Sequence, residues 1–247
     1  MTTKRWRALT PPTPGPAFDP EVHLDGLPDS ARRYFAHAIE PGVPLSDGTE
    51  LRMRGRIKAA GRWLPFTAIE RIAPNRGFEW RVRAGRGPVR FRGSDWFEAG
   101  RGGLRMRMFG VVPVVNAGGP DIARSAAGRL AVEAIWAPAS MLPWAGAEIA
   151  VTDAGFAVTF SIAGEEETVR LSVAQDGSVT EVSMARWGDV GADGKWRRIP
   201  FGGDVLAERT FGGYTIPSEL RVGWWRGTAC ADEHEFFQAQ IESARFS

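Results

Sequence analysis

The sequence predicts a mainly β protein, a single antiparallel sheet with one long helix lying on its apolar face. Three observations carry this. From Glu50 to Phe109 apolar residues recur at every second position, the period of a strand with one wet face. Turn residues at Ala60-Gly61, Pro74-Asn75, Gly85 to Pro88 and Gly100 to Gly103 interrupt that alternation at short spacing, which makes a meander. A long helical period appears only after Gly118-Gly119-Pro120.

In chain order, residues 1–26 read as an extended arm. Pro11, Pro12, Pro14, Pro16 and Pro20 oppose a helix and make poor strand, and Trp6 and Phe18 are the side chains expected to hold the arm down. Pro28 with Asp29 or Ser30 then starts a helix. Its apolar face is Ala31, Tyr34, Phe35 and Ala38, and Pro41-Gly42 ends it. His37 on this helix has no partner nearby in sequence and reads as structural.

The first strand sets Leu51, Met53, Gly55 and Ile57 against Arg52, Arg54, Arg56 and Lys58. Runs at 63–72, 78–84, 89–98 and 104–109 follow. Val111 to Val115 is a further apolar run in which Pro113 marks an edge or an irregular piece. Asp121 is expected to cap a helix reaching about Ile135. Its alanine-rich surface is wide, and Asp121, Ser125, Arg129 and Glu133 form one narrow polar stripe, so the helix should be largely buried. Residues 136–144 are a short helical or irregular exit. Strand runs resume from Ala147 to Ile241, with Asp176-Gly177 the strongest hairpin signal and the Gly202-Gly203 and Gly212-Gly213 pairs read as turns. No linker divides the halves. Residues 27–247 are therefore expected to be one domain, with a helical insertion at about 120–144.

Composition bounds the function. At 43% hydrophobic and 24% charged, the chain can bury a real core, and its net charge of +2 excludes a general polyanion binder. The charge is uneven, however. Residues 50–110 hold 15 Lys and Arg against 5 Asp and Glu, while residues 145–247 hold 9 against 16. Basic strand faces are thereby marked as a candidate interaction surface. Nucleic acid is not expected, because Met53, Trp80, Met106 and Met108 alternate away from the arginines instead of sharing their face. Cys230 is alone, no metal-ligand spacing is present, and neither a metal nor a cofactor is expected. Nucleophile motifs and phosphate-binding glycine loops are also absent. No signal peptide or membrane span is visible, so the expected compartment is the cytoplasm. The oligomeric state is left open.

Five segments carry a resemblance. Leu27-PDSARRYFAHA, Arg62-WLPFTAIERI with Phe78-EWR, Gly110-VVPVVNAGGPDI, Val132-EAIWAPASML and Phe211-GGYTIPSELRVGWW resemble, in that order, an uncharacterised bacterial family. Its marks are LPxxxRRY, VPVVxAxGPDI and IPxxxxxxW. The resemblance runs from about residue 27 to the end. It implies a fold similar to the lipoprotein-carrier half-barrel, a strongly curved sheet with helices over its concave face.

The residues favour one candidate site. Trp80, Met106, Met108, Trp136, Met141, Trp144 and Trp224 fall on inward strand positions or on the covering helices, where a half-barrel with a helical lid can hold one apolar ligand. A hydrophobic or amphipathic small molecule is the expected partner. Glu133 decides the polar chemistry. Paired with Arg129 it would be a helix-surface charge; facing the sheet it would orient a ligand or act as an acid/base. An enzyme would also draw on Glu208 or Tyr214, although no catalytic motif is recognisable.

Overall fold

Thirteen strands form one antiparallel sheet in the computed structural model, which describes residues 4–9, 15–87, 89–191 and 193–246. The N-terminal meander is β1 (Thr49–Ala59), β2 (Arg62–Ala73), β3 (Gly77–Arg86), β4 (Val89–Glu98), β5 (Arg101–Met108) and β6 (Val112–Gly118). The C-terminal one is β7 (Glu148–Thr152), β8 (Gly155–Ile162), β9 (Glu165–Val173), β10 (Val179–Gly188), β11 (Arg197–Phe211), β12 (Tyr214–Trp224) and β13 (Glu235–Phe246). Strand order runs from β6 in sequence down to β1, then β13 down to β7. The meanders thus meet where the first strand pairs with the last, and β6 and β7 are the two free edges.

The helical segment joins those opposite edges. From the end of β6 it crosses the inner face as α4 (Pro120–Val132), then as three short 3-10 turns through Ala145, and enters β7. This is the layout the resemblance implied: mainly β, a single curved antiparallel sheet with helices over its concave face. Register shifts at Arg52/Met53 and around Val205 to Glu208 bend strands that would otherwise lie flatter.

Local chemistry accounts for the approach of α4. The N-cap is Gly119, at φ 112°, a conformation in which a side chain would be strained. Beneath the helix, Gly102 on β5 has no side chain to hold it off: a Cβ there would lie 2.9 Å from the Cα of Ala123. Ala126, Ala127, Leu130 and Ala131 are buried against the sheet. Asp121 does not cap the helix. It lies in the first turn, accepts a hydrogen bond from Trp187 Nε1 at 2.9 Å, and leaves the turn to the glycine. The α-helix also stops at Val132, before Ile135, and Glu133–Trp136 tighten into a 3-10 turn.

A third helix, written α3 (Asp29–Ala38), seals the other end of the core, and Ala31, Tyr34, Phe35 and Ala38 are all buried, as the spacing predicted. Tyr34 and Phe35 meet Phe156 of β8 at ring distances of 5.4 and 5.9 Å. The N-terminal residues are not wholly extended: Lys4–Ala8 (α1) and Pro20–His23 (α2) are helical, Pro20 occupying a first turn where its missing N–H costs nothing. Trp6 and Phe18 do anchor the segment. Trp6 lies on the sheet's outer face, between the guanidinium groups of Arg71 and Arg81 at 4.7 and 4.0 Å from its ring. Pro11, Pro12 and Pro14 lie outside the described residues.

One turn assignment fails. Gly202-Gly203 sits inside β11, a single strand of 15 residues, and the two runs expected on either side of it are continuous. A Cβ on Gly202 would strike the Val182 carbonyl of β10, and one on Gly203 the Arg221 carbonyl of β12. The pair permits close strand approach within the bend, which single-sequence patterning does not distinguish from a turn.

Candidate functional site

Between α4 and the inner face of the sheet lies a cavity of about 290 Å³. Its floor comes from both meanders, with Met106 on β5 and Trp80 on β3 facing Trp224 on β12 and Phe237 on β13, and Trp136 closes it from the helical segment. Strand alternation places these side chains. Trp80 is in register with Glu70 of β2 and Asp95 of β4, so one inward row carries Glu70, Trp80, Asp95 and Leu104 in succession.

That row puts two carboxylates on an otherwise apolar face, and Arg129 reaches down from α4 to meet them. Its Nη2 donates to Glu70 at 2.8 Å, its Nη1 to Asp95 at 2.6 Å and its Nε to Glu133 at 2.7 Å. The guanidinium also lies 4.6 Å from the Phe78 ring centroid and 5.3 Å from that of Trp80. Glu133 pairs with Arg129 four residues back, yet it is not the helix-surface charge that pairing was expected to make it: the pair is largely buried, and Glu133 lies in the cavity wall.

Three carboxylates surround one cation, and the balance shows in their protonation. Burial, then the charge of Glu133, pushes the Glu70 carboxyl well above the usual carboxylate range. Burial raises Glu133 as well, against the pull of Arg129. Glu70 Oε2 and Glu133 Oε2 are both buried without a donor among the described residues. Two such oxygens are satisfied together when they hold one proton between them.

Arg186 on β10 is the cavity's second cation. Its Nε donates to the Ser125 carbonyl at 3.0 Å, and its guanidinium lies 4.7 and 5.1 Å from the ring centroids of Phe201 and Trp224. Burial first, then the charge of Arg129, lowers its pKa to about 10. It makes no ion pair among the described residues. Trp80 Nε1, also in the wall, is buried without an acceptor among the described residues.

Of the residues singled out from the sequence, Trp80, Met106, Glu133, Trp136 and Trp224 line this cavity. Met108 does not; it lies near the β5–β6 hairpin end, opposite Phe91 and Val112. Met141, on the second of the 3-10 turns, is fully buried in the core and not in the cavity wall. Trp144 is 43% exposed, its Nε1 donating to the Ala139 carbonyl at 3.0 Å. Glu208 and Tyr214 stand outside the cavity wall and hold structure. Glu208 bonds His37 Nε2 at 2.7 Å and accepts from the Val179 amide at 3.1 Å. Tyr214 donates to the Pro44 carbonyl at 2.9 Å and accepts from the Ser46 amide at 2.8 Å. Glu70, Asp95 and Arg186 were missed. A signal existed for the first two, since Glu70 shares the parity of Phe66, Ala68 and Ile72, and Asp95 that of Phe91 and Phe97. An acid at an apolar-parity position asks for a buried partner.

Among solved structures, three similar ones share the outline at low identity. A DUF1329 family protein from Desulfovibrio piger is 10% identical, with 89% of this chain and 91% of that one covered and a TM-score of 0.42. A putative outer membrane lipoprotein-sorting protein domain from Vibrio parahaemolyticus is 7% identical, with coverage of 93% and 94% and a TM-score of 0.40. A LolA superfamily protein from Nitrosomonas europaea is 9% identical, with coverage of 88% and 92% and a TM-score of 0.42. No curated protein matches the chain. The expected cytoplasmic placement does not stand beside these likenesses, one of which is to an outer membrane lipoprotein-sorting domain. Among the described residues no helix is long and apolar enough to cross a membrane, which by itself assigns no compartment. The family itself is shown by sequence: its model matches residues 25–246, and the chain belongs to the family of unknown function DUF6920.

Proposed function

We propose that the protein binds one slender amphipathic molecule in the cavity between α4 and the sheet, with an apolar body along Met106, Trp136, Val205 and Phe237 and an oxygen-bearing head beside Arg186. The observation that carries this is the pairing of an apolar cavity of about 290 Å³ with Arg186, whose guanidinium has no ion-pair partner among the described residues, and Trp80 Nε1, which has no acceptor among them. That volume is at the lower end for a small-molecule site, of roughly 300 Å³ and upward, and suits a single chain better than a bulky ring system. A head with acceptor oxygens, a carboxylate or an ester, answers Arg186 and leaves the Arg129 cluster intact. Glu133 has one oxygen committed to Arg129, which makes it a wall that positions Arg129 and not a free base.

The test is displacement of a fluorescent long-chain fatty acid, with the corresponding hydrocarbon as control. Wild-type protein is expected to bind the acid. Val205→Trp, which fills the cavity, should abolish binding. Arg186→Gln should weaken the acid by about tenfold or more, the worth of a hydrogen bond to a charged group, and leave the hydrocarbon unchanged. Absence of binding by acid and hydrocarbon alike, with no extractable amphiphile on the purified protein, would sink the reading.

A further inference from the structure

The outer face of the sheet carries a second concavity, far larger and of opposite chemistry. It is a groove of about 1030 Å³, and Glu219 is the one carboxylate in its lining. Arg56, Arg83, Arg86, Arg90, Arg92 and Arg221 line it; all six are exposed, and none makes an ion pair among the described residues. Cross-strand register explains the accumulation: Arg54, Thr67, Arg83, Arg92 and Arg107 stand in one outward row on β1 to β5. Like charges that close repel one another, and a chain whose net charge is only +2 has concentrated them here.

At one end the groove meets an apolar projection. Phe109 lines it, its amide bonded to the Arg90 carbonyl at 2.9 Å. Phe109 opens the β5–β6 hairpin, which continues Gly110-Val111-Val112-Pro113-Val114-Val115. Phe109, Val111, Val112, Val114 and Val115 are all exposed, Val111 the most at 69%. Edge strands of soluble proteins are ordinarily blunted by charge, but β6 is exposed along most of its length and no acidic residue occurs between Glu98 and Asp121. An exposed aliphatic hairpin beside unpaired arginines presents apolar side chains to an acyl region and cations to the headgroups above it.

We propose that this face docks on an anionic lipid surface, with the β5–β6 hairpin inserting and the arginine groove lying on the headgroups. Charge complementarity selects that occupant. A second copy brought hairpin to hairpin would set Arg90, Arg92, Arg105 and Arg107 against their own like. Nucleic acid would leave the valines without a role, since bases stack on aromatic rings and the hairpin offers only Phe109. The hairpin is also the far end of the strand pair that supplies Met106 to the cavity, so docking places one wall of that cavity at the membrane. The docking surface does not depend on what the cavity holds.

Flotation of the full chain with phosphatidylcholine vesicles, with and without phosphatidylglycerol, tests this at low and moderate salt. Binding to the anionic vesicles alone, weakening with salt, is the expected result. Val111→Asp/Val112→Asp should lower partitioning by about tenfold or more, through lost apolar burial. Arg90→Gln/Arg92→Gln should lower it roughly thirtyfold, at about fivefold per arginine near an anionic surface. Both variants should keep close to the wild-type thermal midpoint, since these side chains are exposed, the arginines make no ion pair among the described residues, and the one hydrogen bond lost, from Arg90 Nε to the Gly87 carbonyl, is exposed. Wild-type protein left in solution with anionic vesicles at low salt overturns the proposal. So does binding of single-stranded RNA that the arginine variant loses and the valine variant keeps, and so does a concentration-dependent dimer that the valine variant dissolves.

Discussion

Removing Arg129 is the sharpest perturbation this structure offers. Arg129→Met keeps an unbranched apolar side chain and deletes the guanidinium that lies over Phe78 and Trp80. The structure assigns that charge three partners, Glu70, Asp95 and Glu133, at 2.8, 2.6 and 2.7 Å, with Glu70 fully buried. Taking one partner from a buried ion pair costs about 3–5 kcal/mol, because a charge is stranded away from water. For a chain of this size that lowers the melting temperature by roughly 6–20 °C. The loss must depend on pH. Glu70 and Glu133 have folded-state pKa values raised above their unfolded ones, so the folded state binds protons more tightly than the unfolded chain. Stability from these groups is fully present below the ordinary carboxylate pKa and is lost as pH rises through the folded-state values. Without Arg129 those values climb further, so the variant should be close to wild type near about pH 5 and fall away towards about pH 8. Glu70→Gln/Glu133→Gln in the same background should recover most of the loss at the higher pH. Chemical denaturation at both pH values measures it. A loss under about 1 kcal/mol, or one that is equal at the two pH values and unrescued, would refute the view that Arg129 neutralises a buried carboxylate cluster.

Three further outcomes can be read by the same denaturation assay. Gly202→Ala should cost about 2 kcal/mol or more, since its methyl meets the Val182 carbonyl inside β11; a neutral change would restore the turn reading. Tyr214→Phe should cost about 1–3 kcal/mol by orphaning the Pro44 carbonyl and Ser46 amide, and should leave ligand affinity unchanged; lost binding without lost stability would return Tyr214 to the site. Tyr34→Phe removes a buried hydroxyl that has no hydrogen-bond partner among the described residues, and is expected to leave stability within about 0.5 kcal/mol or improve it. A large loss there would mean the hydroxyl is satisfied.

Much of the architecture was legible because alternation is a local signal. Leu51, Met53 and Ile57 announce their face in seven residues of sequence, and Ala31, Tyr34, Phe35 and Ala38 do the same for α3. Where the reading failed, a long-range contact had replaced a local rule. The glycines at 202 and 203 are required by carbonyls on β10 and β12, some 20 residues away on each side. Asp121 looked like a cap, but Trp187 claims its side chain. In the site, five of the eight nominated residues line the cavity, because inward parity was readable. Met141 and Trp144 were misplaced because the turns after α4 have no period to follow, and Met108 because its strand runs past the cavity towards the hairpin.

The sequence by itself determined the β meanders, the burial of α4 and the inward strand positions of Trp80, Met106 and Trp224, since each follows from period and residue size alone. Tertiary structure decided that the meanders join through β1 and β13 and not through the helix, which instead bridges the two free edges. It decided too that Arg129 would be shared among acids from β2, β4 and α4's own end, while Arg186 was left without one among the described residues. Pairing between strands far apart in sequence sets which charges meet, and no periodicity within a single strand encodes it.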